Sequence, residues 1–219
     1  MHAAGRRGGG VRVDKVITSG KFHLDGGSWD VDNNVWVVGD DTNCVIIDPA
    51  HRAAPILAAV GDRQVAAVLC THGHDDHINA AGAVRQATGA PVRLHPADRM
   101  LWDMVYADQP PDGDLAEGTE IGIGEATLRV LHTPVHSPGG CSLLLTGGPE
   151  PTVFTGDTLF AGGPGATGRS FSDFGTIITS IRDRLLVLEP ATVVRTGHGA
   201  DTSIEAEAPH LDEWIGRGH

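Results

Sequence analysis

Residues 71–77 read Thr-His-Gly-His-Asp-Asp-His, with three imidazoles and two carboxylates in seven positions. Imidazole nitrogen and carboxylate oxygen suit Zn²⁺, Fe and Mn²⁺. His72 and His74 stand two apart, so an extended backbone points both to one side. Gly73 between them lets the chain bend closely. The apolar run Val65–Cys70 leads into the segment as a buried strand, and a helical pattern follows it. Asp76 and His77 therefore fall where a helix begins, placed to face a second ion a few ångströms from the first. Metal binding is the chemistry this pattern serves.

Four such side chains do not complete two sites, and a catalytic ion keeps one position open for water. Three further segments offer ligands. His132-Thr-Pro-Val-His136-Ser-Pro-Gly-Gly supplies two histidines, Thr155-Gly-Asp157-Thr an aspartate, and Thr196-Gly-His198-Gly a histidine. Each follows a β-rich run, and the ends of rigid strands are where catalytic groups are commonly mounted.

The positioning elements follow from pattern and turn chemistry. Strands are expected at Val11–Thr18, Asn33–Val38, Cys44–Asp48, Val65–Cys70 and Pro91–Leu94. A second set covers Thr119–Ile123, Ala126–His132, Cys141–Leu145, Thr152–Phe154 and Thr192–Arg195. Gly39-Asp40-Asp41 reads as a hairpin turn. Helices are expected at Ala53–Val60, Ile78–Thr88 (capped by Gly89), Ala97–Tyr106, within Asp173–Leu188, and at Thr202–Ile215. Asp108–Gly118 and Phe160–Gly175 read as loops. Early and late strand groups with helices interspersed imply two sheets with helices outside. At 219 residues the chain fits one domain, 11–219, behind a disordered glycine-rich tail at 1–10.

The ordered set THxHxDH, HTPxHSPG, TGDTLF and GHG resembles the metallo-β-lactamase superfamily, and within it the glyoxalase II-like hydrolases. The likeness runs from about Val11 to the end. It implies an α/β fold, a four-layer αββα sandwich with the metals at one edge of the two sheets. It further implies that a first metal takes His72, His74 and His136, a second takes Asp76, His77 and His198, and Asp157 bridges them. Asp48, in Ile-Ile-Asp-Pro, matches a family aspartate that supports the site by orienting ligands. His132 is not a ligand in that pattern. Two departures stand out: Val135 replaces a usual glycine, and Asn79-Ala80 replace a common Gly-Gly pair. A β-branched residue tolerates positive φ poorly, so a local difference before His136 is expected.

What the resemblance implies for activity is hydrolysis. Two zinc ions, with Fe or Mn as alternatives, would lower the pKa of a shared water towards about 7, giving hydroxide to attack a carbonyl. Asp76 would help orient it, and no serine or cysteine nucleophile is required. Glyoxalase II enzymes carry an added C-terminal helical region, whereas this chain stops about twenty residues past His198. It thus resembles short single-domain members, and most closely small hydrolases associated with mycothiol-dependent formaldehyde detoxification. The segments 24–36 and Gly-Arg-Ser-Phe-Ser-Asp-Phe carry that likeness. Arginine outnumbers lysine 14 to 2, consistent with a high-G+C genome where mycothiol could be the thiol. The expected substrate is a small-molecule thioester of such a thiol, S-formylmycothiol included. Arg169 either receives an anionic substrate group or pins its loop. The alternatives are a mononuclear iron persulfide dioxygenase and a lactonase or β-lactamase-type hydrolase on the same fold.

Composition narrows the partners. A net charge of −12 disfavours nucleic acid. No apolar run approaches the ~18 residues of a membrane span, and no apolar stretch follows Arg6–Arg7 as a secretory signal requires. The expectation is a cytoplasmic monomer or homodimer without nucleic-acid or membrane partners. Cys44, Cys70 and Cys141 are too few and too scattered for a disulfide framework. Trp102 and Trp214 read as helix packing, and Trp29 and Trp36 as core or cleft wall. His23, His51, His95 and His210 lie outside the motifs and read as structural or solvated.

Overall fold

Strand alternation builds the layers. In the second strand Val35 and Val37 point to one core and Trp36 and Val38 to another, as a period of two requires. Ile46 opposes Val45 and Ile47 in the same way, and Val68 opposes Ala67 and Leu69. On the far side Val153 and Phe154 divide between the central core and a third one. Two sheets buried on both faces need helices outside each, so the architecture is helix–sheet–sheet–helix. The computed structural model describes residues 10–135, 137–168 and 170–218.

The first sheet has order β1-β2-β3-β4-β5-β6: Arg12–Leu24, Gly27–Gly39, Asn43–Ile47, Gln64–Cys70, Val92–Leu94 and Gly113–Asp114. Helices α1 (Ala53–Val60), α2 (Asp75–Ile78), α3 (Ala81–Thr88) and α4 (Arg99–Val105) lie among its connections. The second sheet contains β7 (Glu120–Ile123), β8 (Ala126–His132), β9 (Cys141–Thr146) and β10 (Thr152–Gly156), in the order β14-β13-β10-β9-β8-β7. A small hairpin of β11 (Leu159–Phe160) and β12 (Gly163–Pro164) follows β10. Then come α5 (Phe174–Ser180), β13 (Val193–Thr196), β14 (Thr202–Ser203), α6 (Ile204–Glu207) and α7 (Leu211–Arg217). Parallel pairs β3–β4 and β10–β13 end at the same edge of the sandwich.

Several elements differ from the sequence reading. The first strand extends to Leu24 and forms a long hairpin with β2 through Asp25-Gly26, both at positive φ (50° and 77°). Asp-Gly between strands was the signal for this turn. The Ile78–Thr88 helix is divided: α2 ends before Asn79, and α3 restarts at Ala81 and closes on Gly89 in the left-handed region. The final helix is broken into α6, a 3₁₀ turn containing Pro209, and α7, as an internal proline dictates. The Phe160–Gly175 loop contains part of the β11–β12 hairpin. Trp102 and Trp214 are fully buried packing residues, Trp36 lies in the central core, and Trp29 is partly exposed. Among the described residues no helix is long and apolar enough to cross a membrane.

Candidate metal centre

Both sheets contribute to one pocket of donors. β4 ends at Cys70, and His72, His74, Asp76 and His77 follow it through the short helix α2. Asp157 follows β10 and His198 follows β13. His77 Nε2 lies 3.2 Å from His198 Nε2, 3.3 Å from Asp157 Oδ1 and 3.6 Å from Asp76 Oδ2. His198 Nε2 lies 3.4 Å from Asp76 Oδ2 and 3.5 Å from Asp157 Oδ2. Ligand atoms on a tetrahedral ion with bonds of about 2.0–2.1 Å stand about 3.3–3.4 Å apart. The donor set has that spacing and that chemistry, so these residues fit a metal ion.

The far sides of the rings are held. His77 Nδ1 donates to Asp48 Oδ2 at 3.1 Å, and His198 Nδ1 donates to the Asp32 carbonyl at 2.7 Å. Each bond directs Nε2 into the pocket, the arrangement metal-binding histidines use. His72 Nδ1 sits 3.1 Å from Thr71 Oγ1, whose hydroxyl donates to Asp48 Oδ2 at 2.7 Å. Asp48 also accepts the Thr71 amide at 2.7 Å. Asp48, His72 and His77 come close enough to suggest a metal group of their own. Three donors already hold the Asp48 carboxylate, which suits it to the supporting role expected from the sequence.

His72 and His74 rings meet edge to face with centroids 4.9 Å apart. Gly73 between them does not adopt positive φ; its small size matters because a Cβ would stand 2.9 Å from that of Leu101. His136, the expected third partner of His72 and His74, lies outside the described residues, as does Arg169. Val135 is buried and avoids the left-handed region, so the chain there does without the glycine geometry. Two glycines bring the sheets together. Gly156 has φ 50°, and a Cβ on it would meet Thr71 Oγ1 at 2.3 Å. A Cβ on Gly197 would meet His77 Cε1, from the first sheet's side, at 2.8 Å, and Asp157 Oδ1 at 2.3 Å.

In the ion-free fold the four groups compensate one another. Burial alone would lower the His198 imidazole, but the Asp157 and Asp76 carboxylates together outweigh it and push the pKa up to about 10. His77 is likewise raised against burial by Asp157 and Asp76. Burial opposes ionisation of Asp157, yet His77 and His198 hold it well below the usual carboxylate range.

Three supporting residues were not singled out from sequence. Asn33 Nδ2 donates to Asp76 Oδ2 at 3.0 Å. Asn34 Nδ2 donates to the Thr196 and Gly199 carbonyls, bracing the His198 loop against β2. Asp98, fully buried, accepts from the Gly73 amide at 2.9 Å, the Ser137 hydroxyl at 2.7 Å and the Gly139 amide at 2.6 Å. His132 stacks on His95 at 4.3 Å and donates through Nε2 to the Pro138 carbonyl, away from the donor pocket. Tyr106 donates to the carbonyls of Ile78 and Asn79 and also lies outside it.

A cleft of about 240 Å³ opens over His74, Asp76, Asp157 and His198, walled by Phe22, Leu24, Val31 and Phe160. The Phe22 ring lies 5.2 Å from His74. Asp25, in the β1–β2 turn, accepts from the Ser170 hydroxyl at 2.7 Å across the entrance.

The family model described as the metallo-beta-lactamase superfamily matches residues 29–198. The chain belongs to that superfamily. An uncharacterized protein of Mycobacterium tuberculosis is 38% identical over 189 residues, 76% of this chain and 84% of the relative. The hydroxyacylglutathione hydrolase GloC of Haemophilus influenzae is 31% identical over 183 residues, 77% of this chain and 85% of the relative. Among superfamily structures, that of TTHA1623 in a di-iron-bound form aligns with a TM-score of 0.69 at 32% identity, covering 81% of this chain and 93% of that one. The helix–sheet–sheet–helix arrangement is the superfamily fold.

Proposed function

We propose that the protein is a dinuclear metal-dependent hydrolase acting on a thioester of a low-molecular-weight thiol. The observation that carries this reading is the convergence of His77, His198, Asp76 and Asp157 at ligand spacing beneath an open cleft. His72 and His74, with His136, would hold the first ion, and Asp76, His77 and His198 the second, with Asp157 between them. Zinc suits this donor set, and so does iron, the metal in the TTHA1623 structure. When bound, such a pair lowers the pKa of a shared water and polarises a carbonyl oxygen.

The chain's own groups set the geometry. Asp76 faces the cleft with its carboxylate rotation fixed by Asn33, which suits it to orient the attacking water. Phe22, Leu24, Val31 and Phe160 offer an apolar wall for an acyl group and exclude water beside it. Cysteine nucleophiles are not available: Cys44, Cys70 and Cys141 are all buried, and burial raises each thiol above its ordinary pKa. A thioester is favoured over other carbonyl substrates by the relationship to GloC, a hydroxyacylglutathione hydrolase. S-formylmycothiol is the first substrate to test, with Arg169 the candidate contact for an anionic group.

The test is elemental analysis of protein purified without added metal, alongside a panel of glutathione and mycothiol thioesters, lactones and a β-lactam. Two metal equivalents with thioester turnover are expected. One iron per chain with O₂ uptake would replace the hydrolase with a dioxygenase. Asp157→Ala is expected to strip both ions, and His198→Ala to weaken mainly one. Full occupancy in the Asp157 variant would remove its bridging role.

A further inference from the structure

A chain of hydrogen bonds runs from Asp76 into the protein and ends on two residues that the metal motifs do not include. Asn33 Nδ2 donates to Asp76 Oδ2 at 3.0 Å. Asn33 Oδ1 lies 2.8 Å from His51 Nε2. His51 Nδ1 lies 3.2 Å from Asn79 Nδ2, and the His51 amide donates to Asn79 Oδ1.

The direction of every proton in this chain is determined, and from both ends. A carboxylate only accepts, so Asn33 must turn its amide nitrogen to Asp76 and its oxygen to His51. His51 Nε2 then carries a proton. From the other end, a backbone N–H only donates, so Asn79 turns Oδ1 to the His51 amide and its nitrogen to the ring. That arrangement requires a bare Nδ1. Both ends together leave the neutral ring with its proton on Nε2. Burial also holds His51 below its ordinary pKa, which favours the neutral ring.

The fold makes room for this histidine. His51 adopts φ 56°, an uncommon conformation for a residue with a side chain. A Cβ on Gly20 of β1 would stand 2.2 Å from His51 Nδ1, so only glycine lets the ring lie there. Asn79 sits in the break between α2 and α3, just after the helix that carries Asp76 and His77. A glycine at position 79 could not make either bond to His51.

We infer that His51 and Asn79 are positioning residues that act through Asn33 to fix the rotation of the Asp76 carboxylate, and so set the affinity of the second metal position. The inference rests on the assignment of Asp76 to that position. Supports of this kind change metal affinity by about 10- to 100-fold when lost.

The test is a Co²⁺ titration of chelator-stripped protein, following visible absorption for each equivalent. His51→Leu and Asn79→Gly are expected to weaken the second equivalent about tenfold while leaving the first unchanged. The double variant should be no weaker than His51→Leu, because both break the same chain. His51→Gln, whose amide nitrogen can reach Asn33, should restore most of the affinity. Should His51→Leu fail to fold, Asn79→Gly and His51→Gln carry the comparison. Equal weakening of both equivalents, additive effects, or an unchanged second equivalent would overturn the inference. Asp76→Ala separates the two levels. If it keeps the second equivalent, the metal assignment itself fails; if it loses that equivalent while the other variants keep it, only the relay fails.

Discussion

Asp48 shows how much one carboxylate can do. It takes the Thr71 amide and hydroxyl and the His77 ring, and through Thr71 Oγ1 it also reaches His72. One residue thus orients two imidazoles that the proposed assignment gives to different ions. Its φ of 52° is one that aspartate tolerates better than most side chains. Asp48→Asn keeps the shape but turns one acceptor into a donor, facing either a ring N–H or the Thr71 donors. The expected outcome is loss of metal from both positions by about 10- to 100-fold in affinity, read by metal content after dialysis. Two retained equivalents would sink this account. The convergence of Asp76, His77, Asp157 and His198 was legible in the sequence because each lies in a recognisable short pattern beyond a strand. Asn33, Asp98 and the role of His51 were not, because each is a single residue whose partners come from distant segments. No spacing announces a hydrogen bond between residues 33 and 76.

At the scale of elements, some boundaries were legible in both helices and strands and others were not. Ala53–Val60 has the expected bounds, and β8 coincides with its expected range. The break at Asn79–Ala80 was hidden because both residues suit a helix as well as a junction; what ends α2 is tertiary, with Ala80 N–H donating to the Pro49 carbonyl at 3.0 Å. The loops depend on similar ties. Asp98 precedes α4 and joins the His72–His74 turn to the β8–β9 connection, through Gly73, Ser137 and Gly139. A Cβ on Gly139 would stand 2.6 Å from Asp98 Cγ, so the approach is close as well as polar. Asp98→Ala leaves three buried donors unpaired, at about 1–3 kcal/mol each. We expect a marked loss of stability and, by hydrogen exchange, faster opening at the Gly73 and Gly139 amides than elsewhere. Unchanged protection at both amides would show that the loops hold without the clamp.

For the whole molecule, the donor cluster is a joint between two sheets. Asp76 and His77 follow β4 of the first, Asp157 and His198 follow β10 and β13 of the second, and the apolar core between the sheets lies behind them. Without an ion, two raised histidines and two depressed aspartates hold this edge by charge. His198, pushed up to about 10 when folded, has an ordinary value of about 6.5 in the unfolded chain. Its contribution is therefore complete below about pH 6.5 and is lost as pH rises towards the folded value. Asp157 is depressed, so its contribution is present above about pH 3.9 and is lost as pH falls through its folded value. The metal-free protein should then be held best between these limits and should melt at a lower temperature at pH 9 than at pH 6.5. A bound ion reverses the trend, because it needs the imidazoles unprotonated and competes with protons for them. The gap in melting temperature between loaded and chelator-stripped protein should widen steadily from pH 6.5 to pH 9. Parallel profiles for the two forms would mean that these histidines do not change protonation on metal binding, and the joint would have to be held by other groups.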